Sequence, residues 1–226
     1  MDGRAVRWKR HNDDRRKRIV DAAIGLIETE GVNVSLQAIG QAAGLSRSVV
    51  YRHFADRREL DLAIQADILD GLWAKLFPAM ELTGSIRQII SRTVGAYVNW
   101  ALEHPLLHQV ADVDTAPNGS GPLQQGLDRI AERIKELILT AFELSGVEVS
   151  EVDKKAVDPL IYGLIGMVFG AVRRWVHLGE RIPDAEHLTS VVTEAVLAMI
   201  DTRTTAYGLV IDHDQPLEEF LSGDPA

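Results

Sequence analysis

Apolar residues recur along this chain at helical spacing. Ile19, Ala22, Ala23, Leu26 and Ile27 step at i, i+3, i+4, i+7 and i+8, which predicts an amphipathic helix stopped by Gly31. Ser35 has the chemistry of an N-cap for a short helix over 36–43, and Gly44 stands where a left-handed backbone would end it. Ser46 is placed to cap a second short helix over 47–53. Asp56 is placed to cap a longer one carrying Leu60, Ala63, Ile64, Ile68, Leu72 and Leu76 before Pro78.

The pattern continues with Ile86, Ile90, Thr93, Tyr97, Val98 and Ala101, a helix that Pro105 breaks, and a short segment up to about Asp112. A loop rich in Gly and Pro fills 115–122. Leu127, Ile130, Ile134, Leu137, Ile138 and Ala141 mark the next helix, and another runs from Val152 or Pro159 to about Leu178. Leu188, Val191, Val192, Ala195, Val196 and Met199 mark the last. Nothing alternates with the period of a strand, and no repeat is present, so the predicted fold is all-α. From about Thr202 the periodicity fades and acids gather (Asp212, Asp214, Glu218, Glu219, Asp224), which predicts a mobile acidic tail over 204–226.

With 226 residues, 46% of them hydrophobic, the chain can bury a substantial core. It has no cysteine, which excludes disulfide scaffolds, thiolate metal sites and cysteine nucleophiles and fits a cytoplasmic protein. The charged start does not read as a secretory signal. The uncharged run 159–172 reads as a buried helix, so no membrane span and no membrane partner are expected.

Charge changes the picture more than composition does. The net charge is -9, yet residues 1–60 hold twelve Lys/Arg against eight Asp/Glu, and all the excess acid lies beyond them. The sharpest basic run is Arg4, Arg7, Lys9, Arg10, Arg15, Arg16, Lys17 and Arg18, opposed by Asp13 and Asp14. A run of this kind is either a solvated tail or an arm for a polyanion.

The block over 35–54 gives that run a context. Two short helices joined by a turn at Gly44 form a helix-turn-helix, with Ile39, Ala43, Leu45, Val50 and Phe54 able to pack on Ile19, Ala23 and Leu26. Arg47, Ser48, Tyr51 and Arg52 then share one outward face, and no acid lies between Ser46 and Ala55. Such a face suits a major groove, and the unit could otherwise pack on a protein.

The ordered features Ala43-Gly44-Leu45-Ser46, then Val50-Tyr51-Arg52-His53-Phe54, then a basic residue and Glu59-Leu60, resemble the DNA-binding domain of the TetR family of transcriptional regulators over about 15–65. The resemblance implies base-facing roles for Arg47, Ser48 and Val49, phosphate contacts for Tyr51, His53 and Arg57, and a contact from Gln37. Arg15, Arg16, Ser35 and Arg52 complete the candidate DNA-contact set. Val49 departs from the small hydroxyl residue usual at its place, and Gly40 from alanine, at a cost of up to about 1 kcal/mol in helix propensity. The implied layout is a basic flexible arm over 1–14, a DNA-binding domain over 15–58, and a ligand-binding and dimerisation domain over 59–203.

The resemblance further implies a homodimer on a palindromic stretch of double-stranded DNA, repression as the usual outcome, and release by a small molecule. Gly163, Gly166 and Gly170 leave room for close helix approach beside Met167. With Val192 and Val196 they form the candidate dimer surface, unless the glycines merely relieve packing inside one subunit. Candidate ligand contacts are Trp73, Phe77, Tyr97, Trp100, His104, His108, Phe142 and Tyr162, although aromatics at helical spacing can equally be plain core. Few charges point inward there, so the expected effector is apolar to amphipathic. His104, His108 and Asp112 would align as metal ligands on an unbroken helix, but Pro105 interrupts it, and no metal or other cofactor is expected. No phosphate-binding glycine loop, nucleophile elbow or zinc-protease motif is present, so the chain does not read as an enzyme. The alternative is a helical ligand-binding or scaffold protein without DNA binding.

Overall fold

The computed structural model describes residues 3–113, 121–145 and 149–217. Among the described residues the elements are helices α1 (Gly3–Glu30), α2 (Leu36–Ala42), α3 (Arg47–His53), α4 (Arg57–Ala79), α5 (Ile86–Glu103), α6 (Pro105–Ala111), α7 (Pro122–Ser145), α8 (Glu151–Val176) and α9 (Ala185–Thr205).

Local chemistry accounts for most of the boundaries. Gly31 ends α1 at φ 102° and Gly44 follows α2 at φ 66°, conformations that cost other residues a steric penalty. The amides of Gly44 and Leu45 return to the carbonyls of Gln41 and Gly40 at 3.0 and 2.8 Å, the paired bonds of a Schellman ending. Ser35 caps α2 by accepting from the Ala38 amide at 3.1 Å, and Asp56 caps α4 by accepting from Glu59 at 2.8 Å. Ser46 departs from its expected role: its hydroxyl bonds the Ser48 hydroxyl at 2.9 Å and makes no cap bond.

Three further expectations are corrected. The stretch 3–14 continues α1, because nothing between Arg4 and Arg18 breaks a helix and Arg and Lys favour one; the basic side chains before Asn12 lie outside the described ones. The segment after α9 is built into the fold as far as residue 217. Leu217 donates its amide to the Gly84 carbonyl at 3.0 Å, Arg87 donates its own to the His213 carbonyl at 3.1 Å, and the Arg87 guanidinium pairs with Asp214 at 2.8 Å. The rest of the expected tail, 218–226, and most of the 115–122 loop lie outside the described residues. Finally, α8 is long and apolar enough to cross a membrane by length and composition, since its charges cluster near its ends. Only Ile161, Val172 and Trp175 of that helix are buried, so the run 159–172 is mostly surface rather than core.

Contacts divide the chain into two compact units: Met1–Gly71 with His104–Gln125, and Leu72–Glu103 with Gly126–Ala226. In the first, α1 packs on α2, α3 and α6. Ile19, Ala23, Ile27, Val34, Ile39, Val50, Phe54, Leu60 and Ile64 form its core. The buried Gln65 amide of α4 donates to the carbonyls of Ala111 and Val113 at 3.1 and 2.6 Å, tying the end of α6 into this unit. In the second unit α5 packs chiefly on α9 and also on α8, around Val94, Val98, Val172, Trp175, Val192 and Leu197.

Candidate nucleic-acid interface

The first unit holds α3 at its surface with one side buried and the other exposed. Val50 and Phe54 bury one side of that short helix, and helical geometry turns Arg47, Ser48, Tyr51 and Arg52 outward, where all four are exposed. Val49 is half-buried beside them. Gly40 allows the close approach of α2: a Cβ there would lie 3.0 Å from the Leu45 carbonyl oxygen, which is a packing reason for the missing methyl.

The cations around α3 divide into two groups. Arg47 and Arg52 pair with no acid among the described residues, and Arg47 donates to the Tyr51 hydroxyl at 3.3 Å. Burial lowers the pKa of His53, with Arg15, Arg16 and Arg52 adding positive charge nearby, so the imidazole is neutral at neutral pH within a basic neighbourhood. Ser35 and Gln37 are exposed at the start of α2, with the Ser35 hydroxyl engaged in its cap.

Arg16 and Arg57, both in the candidate DNA-contact set, belong to the second group, which the protein itself engages. Arg16 pairs with Glu59 at 2.8 Å, donates to the His53 carbonyl at 2.5 Å and lies over the Phe54 ring. Arg57 pairs with Asp61 at 2.8 Å and donates to the Val34 carbonyl at 2.6 Å. Both spend their guanidinium groups on the protein itself. Arg18, named in the basic run but not in the candidate DNA-contact set, does the same by donating to the Ala43 carbonyl at the end of α2, at 2.7 Å.

The eight candidate ligand contacts are divided between the two units. His104 and His108 belong to the first unit, where His104 pairs with Glu28 at 2.7 Å and His108 is buried. His104 precedes α6 rather than lying on it, and no trio of metal-ligating side chains converges among the described residues. In the second unit Trp73, Tyr97 and Trp100 are buried, and Tyr97 stacks on Phe169 with centroids 6.0 Å apart. Phe142 meets Tyr207 edge to face, and Phe77 is exposed. Tyr162 donates to Asp128, which pushes its pKa up to about 12.

The candidate dimer residues separate in the same way. Gly163, Gly166, Met167 and Gly170 are all exposed on α8, and a Cβ at any of the three glycines would meet nothing within 4 Å. They relieve no packing inside the subunit. Val192 and Val196 are buried in their own subunit, because the side of α9 that packs on α5 carries them; the outward side carries Val191, Ala195 and Ala198.

A buried three-helix support with a solvent-facing basic helix defines a helix-turn-helix DNA-binding fold. Residues 19–64 match the family of bacterial regulatory proteins, tetR family. An uncharacterised HTH-type transcriptional regulator of Mycobacterium tuberculosis is 26% identical over 180 residues, covering 77% of this chain and 73% of the relative. Among solved structures, a tetR-family transcriptional regulator from Streptomyces coelicolor shares the fold with a TM-score of 0.62 at 22% identity, over 85% of this chain and 87% of that one. RolR in complex with resorcinol shares it with a TM-score of 0.60 at 17% identity, over 91% and 99%. The segment 19–64 thus matches the DNA-binding region of the tetR family, and the chain is similar over most of its length to an HTH-type transcriptional regulator.

Proposed function

We propose that this chain is a sequence-specific repressor that binds a palindromic operator as a homodimer in the cytoplasm and is released by a small molecule. The observation that carries it is the outward face of α3, where Arg47, Ser48, Tyr51 and Arg52 are exposed together and no acid among the described residues neutralises the two arginines. Arg47, Ser48 and Val49 face base edges, with the Val49 methyls suited to a thymine methyl. Arg15, Ser35, Gln37, Arg52 and His53 lie toward the sugar-phosphate backbone. In this division of tasks 15–58 reads DNA, and 59–203 senses the ligand and pairs the subunits.

A seven-residue helix reaches few base pairs, which gives too little discrimination against a genome, and a two-fold pair doubles the footprint. The outward apolar stripe of α8 supports such a pair. Leu160, Gly163, Gly166, Met167 and Gly170, with Val191 of α9, are exposed in one subunit and would be covered by a second copy. Buried apolar aromatics in the second unit suit an apolar to amphipathic effector, and resorcinol on RolR is a precedent for an aromatic one on this fold. The effector releases DNA only by binding the DNA-incompetent arrangement more tightly.

A gel-shift titration of genomic fragments against excess bulk DNA, at low and moderate salt, tests the central part. Selected fragments are expected to outcompete bulk DNA, and Arg47→Ala to lose about 1–3 kcal/mol on them. If every fragment competes like bulk DNA, the alternative of a helical ligand-binding or scaffold protein stands instead.

A further inference from the structure

Arg47 and Tyr51 are one helical turn apart on α3, the spacing at which side chains on a helix surface meet. The Arg47 Nη2 donates to the Tyr51 hydroxyl at 3.3 Å, and the guanidinium carbon lies 5.5 Å from the centre of the Tyr51 ring. Both side chains are exposed, and no acid among the described residues competes for this arginine. A free arginine samples many rotamers and loses that freedom when it reaches a base. One held in place beforehand loses less. Tyr51 occupies one of the five N–H donors of the guanidinium, which leaves enough for two parallel bonds to a guanine.

Resting on the proposed role of α3 as the base-contacting helix, we infer that Tyr51 is a positioning residue that presets Arg47 for guanine and so sharpens sequence preference, rather than a phosphate contact. The two roles leave different signatures. A phosphate contact is blind to sequence, so its loss weakens binding to every duplex alike. A positioning contact acts only through Arg47, so its loss falls on the base pair that Arg47 reads.

The test uses the duplex that the wild-type chain enriches from a random double-stranded pool, its single-base variants, and unselected pool DNA as the sequence-blind reference. Wild type, Tyr51→Phe, Arg47→Ala and the double variant are titrated in parallel. Tyr51→Phe keeps the ring and removes the hydroxyl, which accepts from Arg47 and could donate to a phosphate. It is expected to lose about 3–10-fold on the enriched duplex, the scale of one neutral hydrogen bond. The loss should concentrate at the base pair that Arg47→Ala no longer distinguishes. Binding to unselected DNA should stay within about 2-fold of wild type, and Tyr51→Phe should cost little more once Arg47 is alanine. Equal weakening on enriched and unselected DNA, or the same loss in the Arg47→Ala background, overturns the inference. A wild-type chain that enriches no sequence overturns the role of α3 itself and the inference with it, and that failure appears before any variant is compared.

Discussion

Arg16 and Glu59 form an ion pair of 2.8 Å between α1 and the first turn of α4. The same guanidinium covers the Phe54 ring at 4.1 Å and donates to the His53 carbonyl at the end of α3. One arginine thus fastens the supporting helix to both ends of the link between α3 and α4. The pair is half-exposed and weak by itself, whereas the hydrogen bond and the ring contact add to it. Arg16→Ala is expected to destabilise the first unit by about 1–2 kcal/mol, read by urea denaturation. Arg16→Lys should recover only part of this, because an ammonium lacks the planar fork. An unchanged denaturation midpoint in Arg16→Ala would show that these contacts do not hold the unit together.

Glu59 gives the same joint a pH dependence. Its pKa is held below the ordinary carboxylate range, first by the bond accepted from the Ala55 amide at 2.7 Å and then by Arg16. A lowered folded-state pKa contributes stability that is present above the unfolded pKa and is lost as pH falls through the folded one. Wild type should therefore be more stable than Glu59→Gln at pH 7, and the gap in Tm should close on acidification below the usual carboxylate range. A gap that stays constant down to the lowest pH would mean the carboxylate charge plays no part.

Charge engagement also sorts the cations near DNA. Each phosphate neutralised contributes to the salt dependence of binding, so removing a contacting cation flattens the slope of log K against log salt by about one. Arg52→Ala is expected to do this. Arg57→Ala is expected to leave the slope nearly unchanged and to act through the lost bond to Val34 at 2.6 Å, seen as reduced stability. The reverse pattern would show that Arg57 leaves Asp61 for a phosphate on binding.

In the second unit Gly126 of α7 lies against Trp73. A Cβ added at Gly126 would fall 2.0 Å from the indole Cζ2, and the ring is nearly fully buried. Helix propensity favours alanine by about 1 kcal/mol. Overlap with a rigid ring outweighs that, so Gly126→Ala should destabilise by about 1–3 kcal/mol and shift tryptophan emission. Gly25→Ala is the counterpart, since a Cβ there meets nothing within 4 Å, and it should be neutral or stabilising. Equal effects of the two substitutions would mean that propensity alone decides.

Features set by neighbours in sequence were legible without coordinates. Gly31, Gly44, Ser35 and Asp56 act locally, so their turn and cap roles follow from residue type and position. The outward face of α3 was equally legible, because the helical period fixes which of its residues share a side. Features set across the fold were not. Arg16, Arg18 and Arg57 look like any basic residue near a DNA-binding helix until the carbonyls and acids they meet are known. Val191 and Val192 belong to the same apolar run, and only the packing of α9 on α5 decides that Val192 is core and Val191 surface. The segment 206–217 carries little periodicity, since it is held by backbone bonds and by Arg87 rather than by an apolar stripe.

Selecting bound duplexes from a random DNA pool with the wild-type chain tests the central claim most directly. The expected result is one enriched motif with two-fold symmetry, its half-sites about one helical turn or a small multiple apart. No enrichment over the starting pool, or a single motif without symmetry, would contradict a pair of α3 helices reading base edges.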